Sequence, residues 1–451
     1  MNKGYSKNME LVGFHDLHGI PAFQMAMYKT GEGRYYLYCG SFKGPYWNIL
    51  DVTDPANPRS VKLMTVPNAT EEELKCTNTP KIQIADGLMI AVTGGSMPML
   101  HGNKGGEPFY ASVMIFDIAT DPENPRLLGE WRDGMAHRFC YTGGRYVHLS
   151  STCKGYSRQI YRILDIIDPA HPVEVGRWWM PEQWIAGQIP APVTDRFPVE
   201  ARDPGFGYGG PHMDSAGLHG PPYVVGNTAY LSYGGAGVVI LDISDITVPR
   251  LVGQLKLVPP FAGDLSGART HTVLPLSGRP YCVATNEGER FACFNADIVG
   301  GMAQPMNNLH MVDIRNPARP TLIAEFPYPE VPEDFPYPNF NDCGIGAPGP
   351  FGPHNVHEPM EGKPWLENDP NRVYCCYFHA GMRVYDVSDP YRPREIAYFI
   401  PPNPAGPKFD VYMPGPLLGT AEDCVVDDRG YIFMATFHDG MYVLKCTAER
   451  R

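Results

Sequence analysis

The chain has 451 residues, 48 of them Gly and 47 Pro, and it carries a formal net charge of -12 at pH 7. So many turn formers disfavour long helices and favour an all-β protein. An acidic chain without a long basic run lacks the surface that binds nucleic-acid phosphates, so we expect no nucleic-acid partner. No stretch approaches the roughly 20 apolar residues that span a bilayer, and no signal-peptide pattern is present. The eleven Cys show no C-x-x-C spacing. We therefore expect reduced thiols, a cytoplasmic location and no membrane partner.

One phrase recurs six times along the chain. Its copies are WNILDVTDPANP from Trp47, VMIFDIATDPENP from Val113, YRILDIIDPAHP from Tyr161, VVILDISDITVP from Val238, LHMVDIRNPARP from Leu309 and MRVYDVSDPYRP from Met382. A seventh, shorter copy is MYVLKC from Met441. Each copy predicts an apolar strand and a turn, in which Asp bonds to the backbone and Pro fixes φ. The copies are 48 to 77 residues apart, as in four-stranded propeller blades with loop insertions.

Two further strands are predicted before the phrase in each unit, and one is predicted after the turn, which makes four strands per unit. The strand after the turn is of the LVG type, as in PRLVGQLKL. The seventh unit stops after its third strand, but the sequence ELVG at Glu10–Gly13 can supply the fourth. We therefore predict that residues 9–14 pair with the last unit and close a ring, which also covers an otherwise unpaired edge.

This pattern resembles the LVIVD-repeat family of β-propellers over nearly the whole chain. The resemblance implies one domain over residues 1–451, an all-β, seven-bladed β-propeller whose ring is closed by an N-terminal strand pairing with the last blade. The fourth unit departs from the repeat at Ile246, where the first Pro of the turn is lost. The resemblance says little about chemistry, because some propellers are binding platforms and others are enzymes.

Histidines recur where the first strand of a unit begins. His137, His219 and His271 share one register, seven residues before the last Gly of the first hairpin. In units one and six, H-x-x-H pairs starting at His15 and His354 precede the corresponding strand. The inner strands of a propeller line its channel, so their first residues converge on the channel mouth. We predict a divalent transition metal there, with iron favoured over Cu, Mn or Zn. The predicted ligands are His137, His219, His271 and His357.

Further polar residues lie near the same strand starts. Glu422 and Asp423 occupy the equivalent position in the seventh unit and are, with His18, candidate catalytic groups for proton transfer. Arginine suits a substrate carboxylate, and the phrases FHAGM and FHDGM place a His before a third strand. The candidate substrate-binding residues are Trp184, Arg138, Arg269, His379 and His438. For each His taken alone, capping of a local turn is the alternative.

Four long insertions join the LVG-type strand of one unit to the first strand of the next. They occupy residues 181–218, 257–270, 325–353 and 401–420 and are rich in Pro, Gly and aromatic residues. All four should emerge on the face where the inner strands begin. We predict that they are lids over a pocket for a small, largely apolar or aromatic organic substrate. A simple cover for that face, or a contact between subunits of a homo-oligomer, is the alternative.

The chain lacks the G-x-S-x-G, P-loop and H-E-x-x-H signatures, and no G-x-G-x-x-G follows a strand. We therefore favour a metal-dependent enzyme with oxygenase or oxidoreductase chemistry. Its predicted architecture is similar to that of the carotenoid and lignostilbene cleavage oxygenases, which hold iron with four His on the axis of a seven-bladed propeller. The alternatives are a metal-assisted lyase, isomerase or hydrolase, and a non-catalytic scaffold that binds a protein partner.

Overall fold

The computed structural model describes residues 4–95, 105–185, 217–257, 270–287, 308–336, 340, 351–406 and 417–450. Within these ranges the chain forms antiparallel β-sheets, one short helix, α1 (Glu71–Leu74), and two 3-10 turns, Leu17–Gly19 and Pro181–Gln183. The all-β class predicted from the Gly and Pro content is confirmed. No helix in these ranges is long and apolar enough to cross a membrane.

The strands of the first three units and of the N-terminal segment are β1 (Tyr5–Lys7), β2 (Met9–His15), β3 (Ala22–Lys29), β4 (Tyr35–Ser41), β5 (Tyr46–Asp51), β6 (Arg59–Thr65), β7 (Thr77–Ala85), β8 (Leu88–Gly95), β9 (Ser112–Asp117), β10 (Arg126–Trp131), β11 (Ala136–Cys140), β12 (Tyr146–Thr152), β13 (Gln159–Asp165) and β14 (Val173–Trp178). The later units contain β15 (Tyr223–Val225), β16 (Thr228–Ser232), β17 (Val238–Asp242), β18 (Arg250–Leu255), β19 (Thr270–Pro275), β20 (Tyr281–Asn286), β21 (Leu309–Asp313), β22 (Thr321–Glu325), β23 (Arg372–Cys376), β24 (Met382–Asp386), β25 (Arg394–Ile400), β26 (Asp423–Val426), β27 (Tyr431–Ala435) and β28 (Met441–Cys446).

Units three, four and five each form a four-stranded sheet in chain order. These sheets are β11-β12-β13-β14, β15-β16-β17-β18 and β19-β20-β21-β22. In the third unit the first strand is buried along its whole length, whereas the last strand is largely half-exposed. This gradient is typical of a propeller blade, whose first strand faces the interior of the molecule.

The sheets of the first two units are joined. Ser41 of β4 pairs with Thr79 of β7, which makes one eight-stranded sheet of β3–β6 and β7–β10. The approach requires Gly40, because a Cβ there would lie 2.4 Å from the Thr79 carbonyl oxygen. The second strand of the first unit and the first strand of the second unit are therefore in direct contact.

The N-terminal segment contributes a strand to each of the last two sheets. Strand β2 pairs antiparallel with β28 in the order β2-β28-β27-β26, as predicted from the missing LVG strand. Strand β1, which we did not predict, pairs with the outer strand β25 of the sixth unit. The first strand predicted for the sixth unit is irregular, since only scattered hydrogen bonds link residues 354–357 to β23.

The Asp of the recurring phrase ends a strand and holds the following turn. Strands β5, β9, β13, β17, β21 and β24 all end at this Asp. The carboxylate of Asp242 accepts the N–H of Ser244 at 2.8 Å, and that of Asp386 accepts the N–H of Ser388 at 2.9 Å. This is the side-chain turn predicted from the sequence, and it reverses the chain on the face opposite the insertions.

The Gly of the LVG-type strand allows neighbouring units to pack closely. A Cβ at Gly176 or Gly253 would lie 2.0 Å from the carbonyl oxygen of Ile246 or Pro317, in the turn of the following unit. The same approach joins Gly13 to the Pro55 carbonyl of the first unit, at 2.4 Å. The strand supplied by the N-terminal segment therefore packs on the first unit as other outer strands pack on the unit that follows them.

Much of the four predicted lid segments, including residues 186–216, 258–269, 341–350 and 407–416, lies outside the described residues. Arg269, a predicted substrate contact, lies there too.

Candidate metal centre

Four imidazoles meet where the inner strands begin. His137 lies on β11 and His271 on β19, whereas His219 and His354 precede β15 and β23. The ring centroid of His219 lies 5.0 Å from that of His137 and 4.6 Å from that of His271. The His354 centroid lies 5.1 Å from that of His271. The aligned register thus brings side chains distant in sequence to one place.

Glu287, which the sequence analysis missed, joins this group. Its carboxylate oxygens lie 3.4 Å from His354 Nε2, 3.6 Å from His219 Nδ1 and 3.9 Å from His271 Nε2. Ligand atoms of His219, His271 and Glu287 all lie within 4.8 Å of one another. The metal ligands predicted from the sequence all lie at or just before the starts of first strands. Glu287 directly follows β20, a second strand, which ends on the same face because it runs antiparallel to the first.

In the sixth unit it is His354, and not His357, that lies in the cluster. Both ring nitrogens of His357 bond to the backbone: Nε2 lies 2.8 Å from the Glu367 carbonyl oxygen and Nδ1 accepts the Val426 N–H at 3.1 Å. Neither nitrogen is therefore placed to bind an ion at the channel mouth. The sequence-based prediction named His357 as the ligand. The irregular backbone at residues 354–357 has no strand register to indicate which member of the H-x-x-H pair faces the cluster.

The imidazoles of His271 and His354 are held in one tautomer. His271 Nδ1 lies 2.8 Å from Thr272 Oγ1, and His354 Nδ1 donates to the Glu422 carbonyl oxygen at 2.7 Å. Arg138 Nη2 lies 2.9 Å from His271 Nε2 and 3.5 Å from His354 Nε2, and it donates to both. Both rings therefore present an unprotonated Nε2 towards the centre, as hydrogen-bonded metal ligands do.

Burial keeps these imidazoles neutral. It lowers the pKa of His137, His271 and His354 well below the ordinary value, and the positive charge of Arg138 lowers each further. The neutral ring is the form that binds metals. Four imidazole nitrogens and one carboxylate suit Fe, Cu, Mn or Zn, so the residues present fit the predicted ion.

The two predicted acids of the seventh unit lie beside the cluster. Glu422 is fully buried, its carboxylate lies 3.5 Å from His354 Nδ1, and burial raises its pKa well above the ordinary value. Asp423 accepts the Met25 N–H at 2.7 Å, and burial raises its pKa to about 7. A carboxyl group with such a pKa can both give and take a proton at neutral pH.

The other predicted site residues lie elsewhere. His18 is exposed and its Nε2 lies 2.8 Å from Ser60 Oγ. Trp184 packs on Tyr156, with ring centroids 4.9 Å apart. His379 is buried against an aromatic group that includes Phe340, at 5.4 Å. His438 lies half-buried in the turn between β27 and β28. The contacts described for these four residues lie outside the histidine cluster, so their predicted roles stay predictions.

Comparisons with known proteins support the fold. The LVIVD repeat pattern matches residues 223–256 and 302–326. No curated protein sequence matches the chain. Among solved structures, Sqt1 of Saccharomyces cerevisiae shares 7% identity over 99% of each chain, with a TM-score of 0.50. The periplasmic gluconolactonase PpgL of Pseudomonas aeruginosa shares 10% identity over 97% of this chain and 94% of its own, also with a TM-score of 0.50.

At these identities the likeness concerns the fold alone. Together with the LVIVD-repeat match over those two segments and the antiparallel sheets, it supports an all-β, propeller fold for this chain.

Proposed function

We propose that this protein is a metal-dependent enzyme with its active site at the mouth of a propeller channel. The observation that carries the proposal is the convergence of Glu287 with four imidazoles from separate repeat units. Buried polar side chains need hydrogen-bond partners, so a cluster of them without a ligand would destabilise the fold. A cluster of buried side chains that can all bind a metal therefore favours a functional role over a structural one. The divalent transition metal would be held by His219, His271, His354 and Glu287.

For the architecture we propose a seven-bladed ring closed by strand β2. Six copies of the recurring strand-and-turn phrase and the shorter seventh copy support this number. The contact of Gly13 with the Pro55 carbonyl supports closure, because it joins the last unit to the first. Such a ring would place the imidazoles on or near the propeller axis.

The proposed reaction is oxidation or oxygenation of a small, largely apolar or aromatic organic molecule. Bound iron would supply redox and Lewis-acid chemistry at the channel mouth, and imidazole with carboxylate is a donor set that iron(II) accepts. The chain itself would move protons through Asp423, whose pKa is raised to about 7, and orient His354 through the Glu422 carbonyl. A metal-assisted lyase, isomerase or hydrolase would use the same acids.

Metal analysis tests the proposal. We expect purified protein to contain about one equivalent of a transition metal that chelation removes, and we expect His271→Ala to bind much less. The matched control is His171→Ala, since the exposed His171 pairs with Asp168 in a surface turn. Protein without metal after supplementation with Fe, Mn, Cu and Zn in turn, or His271→Ala with undiminished metal, would favour the non-catalytic scaffold instead.

A further inference from the structure

Two buried cations lie beside the metal centre without a full set of acceptors. The side chains of Lys81 and Arg138 are 0% and 2% exposed. Among the residues that the structure describes, Lys81 Nζ and Arg138 Nε have no hydrogen-bond partner. A buried donor without an acceptor costs about 1 to 3 kcal/mol, and more when it is charged. Two such donors in one place indicate that something else accepts from them.

The acids near Lys81 are already engaged. Asp423 accepts the Met25 N–H at 2.7 Å, and Glu358 Oε2 accepts from Gln83 Nε2 at 3.2 Å. Glu287 lies against the imidazoles, 3.4 Å from His354 Nε2. These carboxylates lie near enough for their charges to act on the pKa of Lys81, which burial nevertheless holds well below its usual value. Their charges act on Lys81, but among the described residues none of these carboxylates accepts a hydrogen bond from Lys81 Nζ.

An ion at the imidazoles would release Arg138 as well. At present Nη2 donates to Nε2 of His271 and of His354. A nitrogen that gives its lone pair to a metal cannot accept a hydrogen bond at the same time. With the ion bound, both Nε and Nη2 of Arg138 would therefore need an acceptor. A planar carboxylate matches this guanidinium edge, since it accepts two parallel N–H bonds.

Aromatic side chains pack beside the ammonium group of Lys81. Lys81 Nζ lies 3.5 Å from the ring centroid of Phe23. The Phe23 ring lies 5.0 Å from Phe42 and is stacked at 6.3 Å on Phe437. Phe42 and Phe437 follow equivalent second strands, β4 and β27, and so lie on the face of the metal centre. Cations beside a wall of aromatic rings form a site with a charged end and an apolar end.

We infer that Lys81 and Arg138 bind the carboxylate of an aromatic acid, whose ring lies against Phe23, Phe42 and Phe437 beside the metal centre. This inference rests on the proposed function and narrows its substrate to organic acids. The structure adds Lys81 to the Arg138 contact expected from the sequence.

The test compares the binding of benzoate with that of benzamide, its neutral analogue of similar shape, by calorimetry on metal-loaded and on chelated protein. We expect metal-loaded protein to prefer benzoate, and we expect Lys81→Met to weaken benzoate binding about tenfold to a hundredfold, as when a hydrogen bond to a charged group is lost. Benzamide binding should not change. Met has a similar length and no charge, so the variant should fold, and its melting temperature should equal or exceed that of the wild type.

The matched control is Lys363→Met. Lys363 is also buried, but its Nζ donates to Gln83 Oε1 at 3.0 Å. We expect this variant to bind benzoate as the wild type does. Equal affinity of the wild type for benzoate and benzamide, or unchanged benzoate binding by folded Lys81→Met, would overturn the inference. Metal content is measured on the same samples, so protein that holds metal but shows either result overturns the carboxylate site and leaves the proposed function standing.

Discussion

The carboxylate of Glu287 lies 3.4 Å from Nε2 of His354, although 67 residues and a change of repeat unit separate them. The same carboxylate also faces His219 and His271, so one side chain touches three of the four imidazoles. Glu287 supplies a negative charge beside His271 and His354, whose pKa values are lowered by burial. It is therefore the residue on which the affinity for a divalent cation should depend most.

Glu287→Gln should lower metal affinity by more than the ~10- to 100-fold typical of groups that merely orient a ligand. Gln keeps the shape of the side chain and removes its charge, so the melting temperature should change little. Competition with a chromophoric chelator measures the affinity. The exposed Glu361→Gln serves as control. A variant at position 287 with wild-type affinity would remove Glu287 from the ligand set.

His354→Ala and His357→Ala should have opposite effects. The His354 variant should lose metal and keep most of its stability, because its Nε2 faces the centre. The His357 variant should keep its metal and lose about 1 to 3 kcal/mol of unfolding free energy, since it leaves the buried Val426 N–H without an acceptor. Metal content and urea unfolding distinguish the two roles. If instead His357→Ala abolishes metal binding in folded protein, the assignment made from the sequence is correct.

Stability should fall on mild acidification because of His148. This ring is buried, its Nδ1 lies 2.7 Å from the Tyr161 hydroxyl, and burial lowers its pKa from 6.5 to about 4. Below pH 6.5 His148 binds a proton in the unfolded chain, whereas in the folded protein it stays neutral down to about pH 4. The free energy of unfolding therefore decreases as the pH falls from 6.5 to about 4.

The loss from this one group amounts to about 3 kcal/mol at most. It is measured as the unfolding free energy from urea titrations at several pH values. His148→Gln, which can still accept from Tyr161, should show a shallower decline than the wild type. An identical slope in both proteins would mean that His148 does not titrate in this range.

Gly253→Ala should destabilise the packing between units four and five. Its Cβ would lie 2.0 Å from the Pro317 carbonyl oxygen, and we expect a loss of about 1 to 3 kcal/mol, as for other forced overpacking. Gly31→Ala is the matched control, because no atom of the described part of the chain lies within 4 Å of a Cβ there, and its effect should stay within about 0.5 kcal/mol. Thermal and urea unfolding measure both. Equal stability of the two variants would contradict close packing at this Gly.

The sequence by itself determined the repeat, its strands and the partner of the last unit. The apolar phrase ends in Asp at each copy, and the structure ends each of those strands at the same Asp. The ELVG segment at Glu10–Gly13, which belongs to no preceding unit, identified β2 as the partner of β28. These features were predictable because they depend on local chemistry, namely alternating apolar residues, an Asp that bonds to the backbone, and Pro with a fixed φ.

Only the tertiary structure decided which side chains share the centre. The common register located His137, His219 and His271, but the choice between His354 and His357 required the path of an irregular segment. Glu287 and Lys81 were missed because neither repeats in the other units, and a side chain that occurs once leaves no periodic signal. Their positions depend on how separate sheets pack against one another, which is a long-range property that no local pattern in the sequence records.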